Sequence, residues 1–232
     1  MGVFTDIINR IATVRDFMVD AILDQEGKAD YSMSFAELST AVYGLAVGMN
    51  HVRNGYQLFS ENDTMVNFPS HLNVAYFDSM YQMCYKCTAL RYVPQLNTAN
   101  VTNMMWAFYG CSALERIDGL ITDNITSANE LFHGCSSLHT IGSPLDFSNV
   151  TSKIENTFTT CKSLVNVSFK GSINVNITMS GCSKLSVDSL VSLFNALADN
   201  VSDKICKIGS TNLGKLTDDQ KAIATNKGWT LQ

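Results

Sequence analysis

The chain has 232 residues, 46% of them hydrophobic, and 16 Lys and Arg against 21 Asp and Glu give a formal net charge of −5. The basic residues are scattered, so no nucleic-acid-binding surface is expected. No run of about 18 apolar residues is present, and no membrane insertion is expected. The start, MGVFTDIINR, lacks a basic segment followed by an apolar stretch. We therefore expect no signal peptide, folding in a reducing cytoplasm, and free cysteines.

Residues 1–61 predict a helical anchoring or oligomerisation region. Apolar residues step by three and four along a heptad seam, which comprises Phe4, Ile7, Ile11, Val14, Met18 and Ala21. A second helix is predicted from Ser34 to about Val47, because Ser34 and Glu37 form a capping-box pattern. The seam is too short to form a stable helix alone. It therefore either folds onto the repeats that follow or pairs with copies of itself, for example as a homotrimer, or with another protein.

Residues 62–185 contain an internal repeat. Each of five cysteines precedes a leucine by three residues, in the pairs Cys87–Leu90, Cys111–Leu114, Cys135–Leu138, Cys161–Leu164 and Cys182–Leu185. The cysteines are separated by 24, 24, 26 and 21 residues. An apolar residue stands three positions before each cysteine, and Val or Ile stands three positions after the first four leucines. Such registered columns are typical of repeat architectures.

Each column predicts a local structure. The Leu-x-x-Ile/Val segment predicts one parallel strand per repeat. Val101, Met104 and Phe108 follow the i, i+3, i+7 spacing of a short outer helix, and the next repeats keep that phase. The cysteine is expected to pack as a small buried hydrophobe. A serine at Cys111 would then bury a hydroxyl with no ready partner.

Residues 186–232 predict an α/β cap on the last repeat. Ser186 precedes a helix with an apolar face, and Lys-Ile-Cys-Lys-Ile at 204–208 predicts a strand. Thr217 and Gln220 form a second capping box, opening a helix that stops at Gly228. Trp229–Leu231 predicts a last edge strand.

The repeat resembles a known family. MMWAFYGCSALERI and ELFHGCSSLHTI, joined by linkers such as NTANVTNM and FSNVTSKI, resemble the BspA-type leucine-rich repeat of bacterial surface proteins. The closing segment, LSVDSLVSLFNALADN through GSTNLGKLTDDQKAIATNKGWTL, resembles the end of such repeat proteins, many of them encoded by bacteriophages. The resemblance implies an α/β leucine-rich-repeat solenoid of about five to six turns with N-terminal helices and a C-terminal cap. It also implies surface exposure, with adhesion or virion assembly as the role.

Other motifs have two interpretations each. Cys84-Tyr-Lys-Cys87 could be half of a zinc site or a redox pair, but both cysteines fall on core columns and no second ligand pair accompanies them, so no metal or cofactor is expected. The scattered histidines, His51, His71, His133 and His139, predict surface positions rather than catalysis. Asn-x-Ser/Thr sequons recur at Asn62, Asn100, Asn124, Asn149, Asn166, Asn176 and Asn200. Several coincide with the repeat linker, which favours a turn role over glycosylation.

The candidate binding surface is the exposed, concave face of the predicted strands. Its candidate residues are Tyr92, Arg116, Asp118, Thr140, Asn166 and Ser168, and a plain solvated face is an equal alternative. No nucleophile, base or metal constellation is present, so an enzyme is not expected. The sequence predicts a structural component of a phage virion, such as a head or tail fibre or a decoration protein, made in the bacterial cytoplasm. Its expected partners are other virion proteins, its own copies, and a host surface protein or glycan. The alternative is a bacterial cell-surface adhesin.

Overall fold

The computed structural model of the protein describes residues 54–69, 72 and 74–232. The chain divides into two parts, Met1–Val52 with His71–Asn73 and Arg53–Ser70 with Val74–Gln232. The strands and helices of the described residues all lie in the second part. Both predicted N-terminal helices, including the heptad seam, lie outside the described residues.

The described residues form short parallel strands, and three helices lie between the sixth strand and the last. The strands are β1 (Tyr92–Leu96), β2 (Arg116–Leu120), β3 (Thr140–Ile141), β4 (Leu145–Asp146), β5 (Phe169–Lys170), β6 (Ile177–Thr178), β7 (Lys204–Lys207) and β8 (Trp229–Leu231). The helices are α1 (Val187–Ala196), α2 (Ser210–Leu213) and α3 (Asp218–Thr225). The strands make three sheets, β1-β2-β3, β4-β5 and β6-β7-β8, and every pair is parallel. None of these helices has the length and apolar character needed to span a bilayer.

The predicted fold class, a leucine-rich-repeat solenoid, is wrong. The described residues form a mixed fold of three small parallel sheets, and no helix in the described part precedes Val187. The sheets are separate because the register changes: Thr140 bridges Asn166, 26 residues on, whereas Leu145 pairs with Phe169, only 24 on. Pro144 lies between these positions and has no backbone N–H to donate to a ladder.

The predicted outer helices are also wrong, because these segments are turns. Trp106 and Glu130 have φ angles of 59° and 54°, and Gly110 and Gly134 lie in the same left-handed region. An α-helix requires negative φ at every residue. The amide of Phe108 instead donates to the carbonyl of Leu131 at 3.0 Å, in the next repeat. The apolar spacing of three to four residues comes from successive tight turns that bury the same side chains a helix would.

The sequence repeat appears in the structure as a constant separation of 24 residues between the paired residues of neighbouring strands in the first sheet. Val93 pairs with Ile117, and Ile117 pairs with Ile141, each 24 residues on. All five repeat cysteines are buried, as are the leucines and the Val or Ile residues of the other columns. The repeat therefore sets which residues form the core, although it does not produce one continuous sheet.

The buried thiols bond the repeats together. The Sγ of Cys111 donates to the carbonyl of Cys84 at 3.0 Å, that of Cys135 to Phe108 at 3.0 Å, and that of Cys161 to Phe132 at 3.1 Å. All seven cysteines of the chain are free and buried, as expected. The expectation that a hydroxyl at position 111 would lack a partner is wrong, because the carbonyl that accepts from the thiol is in place.

Aromatic rings of successive repeats stack on one another. Phe108 and Phe132 stack in the core with centroids 6.0 Å apart. On the outer turns, Tyr109 lies between Tyr85 at 5.0 Å and His133 at 4.7 Å, nearly parallel to both. Such ring pairs contribute about 0.5–1.5 kcal/mol beyond burial of their area.

The C-terminal elements follow their predicted starts. Ser186 caps α1 by accepting from the amide of Ser189 at 3.1 Å. Thr217 and Gln220 form the predicted capping box of α3, and Gly228, with φ 95°, precedes β8. The Nζ of Lys227 donates to the carbonyls of Asn195 and Leu197, which ties the end of α1 to the end of α3. Helix α2 was not predicted.

The thiol bonds predict a measurable stability effect. Cys135→Ala removes the donor to Phe108 and leaves a small void, so the free energy of unfolding should fall by about 1–3 kcal/mol. Urea denaturation measures it, with Lys162→Ala, at an exposed position with no side-chain partner in the described part, as the control. Equal midpoints for both variants and the wild type would contradict a structural role for the thiol.

Candidate functional site

Four of the six predicted binding residues lie side by side in one row. Tyr92 pairs with Arg116, Arg116 pairs with Thr140, and Thr140 bridges Asn166. Neighbouring strands lie about 4.8 Å apart, so the row presents one side chain per repeat at that spacing. Because the backbone ladder fixes each position, the row is an ordered line of polar and aromatic groups, exposed at Arg116 and Asn166 and half-buried at Tyr92 and Thr140.

Asp118 accepts hydrogen bonds from two residues of this row, Tyr92 and Arg116. It lies two residues after Arg116 on the same face of β2 and accepts a hydrogen bond from the Tyr92 hydroxyl. It also accepts one from the Nε of Arg116 at 2.6 Å. The bond from Tyr92, and after it the Arg116 guanidinium, hold the pKa of Asp118 below its ordinary value, while the same bond raises the pKa of the Tyr92 phenol. The Asp118 carboxylate therefore holds the side chains of Tyr92 and Arg116 in place, and we call these three residues the Asp118 clamp.

Ser168, the sixth predicted residue, lines a hollow at the other end of the row. This hollow has a volume of about 350 Å³, and its lining residues are Thr140, Ile141, Gly142, Asn166, Val167, Ser168, Ser186, Asp188 and Ser189. Its far wall is the start of α1. There the hydroxyl of Ser189 donates to the carbonyl of Val165 at 3.1 Å and accepts from the amide of Val167 at 3.0 Å. These bonds fix α1 against the row.

The other polar side chains of the hollow are unused within the described residues. Those of Thr140, Asn166, Ser168 and Asp188 make no hydrogen bond or ion pair there, whereas Ser186 and Ser189 bond to one another at 2.9 Å. The structure thus brings all six predicted residues to one face and adds the wall at Ser186–Ser189. That wall was not predicted, because only the packing of α1 reveals it.

The remaining motifs are structural in the described part. Cys84 and Cys87 are buried, the Sγ of Cys87 donates to the carbonyl of Phe59 at 2.9 Å, and burial raises the pKa of Cys84. No group of three or more potential metal ligands occurs among residues 54–69, 72 and 74–232. His133 stacks on Tyr109, whereas His139 is exposed. His51 and His71 lie outside the described residues.

The linker asparagines have the predicted turn role. The side-chain amides of Asn100, Asn124 and Asn149 donate to carbonyls 25 or 26 residues earlier, at 2.6 to 2.8 Å. The hydroxyl of Thr126 makes a similar bond to the carbonyl of Thr102 at 3.2 Å. The Asn and Thr side chains of the linker therefore join each repeat to the preceding one by hydrogen bonds.

These features define a repeat protein of small parallel sheets with a polar strand face. The chain belongs to the family described as Mycoplasma protein of unknown function, DUF285, which matches residues 53–170, just over half of the chain. No curated protein and no solved structure matches the chain. The family segment includes the whole row but not the α1 wall of the hollow. The resemblance to BspA-type repeats stays a prediction.

The clamp predicts a pH-dependent signal. Tyr92→Phe removes the main donor to Asp118, so the pKa of that carboxyl should rise towards its ordinary 3.8. Because the folded-state pKa lies below 3.8, the clamp stabilises the fold above that pH and loses its effect as pH falls through the folded-state value. Carboxyl NMR titration measures the shift, with Tyr76→Phe, an exposed tyrosine outside the row, as control. An unchanged Asp118 midpoint in Tyr92→Phe would show that the clamp is absent.

Proposed function

We propose that this protein is a non-enzymatic interaction protein that binds an extended partner along the row Tyr92, Arg116, Thr140 and Asn166. The single observation that carries the proposal is the registered row itself, which continues into a hollow whose polar side chains have no partner in the described part of the chain. Paired strands place one side chain of the row at each step, so the row can contact a partner along its length.

The face is held in place before any partner binds. Strand pairing fixes the backbone of the row, and the Asp118 clamp fixes the side chains of Tyr92 and Arg116. Ordering these side chains on binding therefore costs little conformational entropy, which favours affinity. Tyr and Arg are also the residues enriched among the strongest contributors to binding.

We place this activity on a bacteriophage particle, as a head or tail fibre or a decoration protein. The proposal rests on the linker and closing segments that resemble phage-encoded repeat proteins. The heptad seam at residues 4–21 would join copies of the chain, or the chain and another virion protein, and the row would bind a host surface protein or glycan.

A bacterial cell-surface adhesin is the second candidate. The description of the matched family names Mycoplasma, a bacterial genus, and this is the observation that favours it. The binding face would be the same in both settings. The two candidates differ in where the protein is found, so fractionation separates them: purified particles should contain a virion protein, whereas the washed cell envelope should contain an adhesin.

Adsorption to cells tests the binding face. Arg116→Glu should weaken adsorption of the fluorescent full-length chain to intact cells of the host strain by about tenfold or more, the loss expected from about 1.4 kcal/mol of binding energy. Lys207→Glu, with the same charge change at an exposed position of a different sheet, should adsorb like the wild type. Equal adsorption by all three proteins, or none by the wild type, would refute the proposal.

A further inference from the structure

We infer that the hollow between the row and α1 is a binding subsite for an uncharged sugar unit. The inference rests on the proposed function and names the chemistry of the partner. The main observation is that several polar side chains lining the hollow have no hydrogen-bond partner among the described residues. Elsewhere on the repeats, Asn and Thr side chains bond to other repeats, as Asn124 does to Ala99 and Thr98 to Ile121. In the hollow, the side chains of Thr140, Asn166, Ser168 and Asp188 make no hydrogen bond to any residue that the structure describes.

Gly142 lines the hollow and lies directly against β2. Gly142 continues the line of Asp118 on the neighbouring strand, and a Cβ at this position would lie 2.3 Å from the carbonyl oxygen of Asp118. No side chain can therefore be added there without moving the backbone of β2. The hollow therefore has a backbone floor at Gly142, and the start of α1 forms its opposite wall.

The lining chemistry selects the ligand class. Two hydroxyls and a carboxamide both donate and accept hydrogen bonds, and one carboxylate accepts. This set matches a ring that carries several hydroxyl groups. No Lys or Arg lines the hollow, and Asp188 supplies negative charge, so a phosphate, a sulfate or a nucleic acid is disfavoured. A volume of about 350 Å³ is at the low end for small-molecule sites, which suits one or two sugar rings.

A peptide partner fits less well. Peptides that add to a sheet need a free strand edge, but here Thr140 is bridged to Asn166 and the hollow lies on the face of the strands. Peptide anchors also need a deep apolar or aromatic pocket, and the side chains of Ile141 and Val167 are buried beneath the hollow rather than exposed in it. A sugar chain can bond in the hollow and continue along the row towards Arg116 and Tyr92.

Titration of the ¹⁵N-labelled full-length chain tests the inference. The probes are maltotriose, cellotriose and a trimer of N-acetylglucosamine, with inorganic phosphate and a lysine-rich peptide as separate arms. At least one trisaccharide should shift the amide signals of Thr140, Gly142, Asn166 and Ser168 in a saturable way. Asn166→Ala should raise its Kd at least about tenfold, Ser168→Phe should abolish binding by filling the hollow, and Lys207→Ala should leave it unchanged.

The outcomes separate this inference from the proposed function. No shift from any trisaccharide, shifts away from the hollow, or hollow shifts caused only by phosphate or by the peptide would each overturn the sugar subsite. If the subsite fails while cell adsorption still depends on Arg116, the proposed function stands without it. If adsorption is independent of the row as well, both fail. The amide spectrum of each variant shows whether it is folded. Asn166→Ala removes a hydrogen-bonding group, whereas Ser168→Phe fills the hollow, so the two variants test the subsite in different ways.

Discussion

The structure depends on hydrogen bonds that join each repeat to the neighbouring repeat, most of them between residues 23 to 27 positions apart. Backbone amides such as that of Cys84 donate to the next repeat, and thiols such as that of Cys135 donate to the preceding one. Linker amides such as that of Asn124 do the same at the surface. Each bond is modest alone, since a net hydrogen bond contributes about 0.5–1.5 kcal/mol. Together they fix the register that every other feature uses.

Register explains how a small fold makes a surface for binding. The pairing that stacks Val93 on Ile117 in the core also places Tyr92 beside Arg116 on the outside, because side chains alternate along a strand. A shift of the strand pairing by one residue would turn the side chains of the row towards the core. The change of offset after Thr140 ends the first sheet, and α1 packs where the row finishes, so the hollow forms at that end.

The core and the C-terminal elements other than α2 could be predicted from the sequence. Leucine and cysteine columns recur at a fixed spacing, and Ser186 and Thr217 mark helix starts through side-chain caps. The outer turns could not be predicted, because the same apolar spacing satisfies a helix and a chain of tight turns. The deciding feature, positive φ at Trp106 and Glu130, occurs at residues that rarely adopt it.

The binding face was only partly predictable, for a related reason. Alternation along the strands identifies exposed positions such as Arg116 and Asn166 from sequence alone. The bond between Tyr92 and Asp118 joins residues 26 positions apart and depends on the register, which spacing indicates but does not prove. The α1 wall depends on where a helix packs, and no local pattern encodes that. No sequence pattern distinguishes the polar side chains of the hollow from those that bond to other repeats, because both sets contain Asn and Thr.

Native-state hydrogen exchange tests the central claim, that bonds between repeats hold the described part of the chain together. The amides of Cys84 and Phe108 donate to Ala107 and Leu131, one repeat further on. If these bonds form one cooperative set, both amides should exchange slowly and with the same free energy of opening, equal to that of global unfolding. Exchange at the rate of an unprotected peptide, or widely different opening energies for the two, would contradict the account.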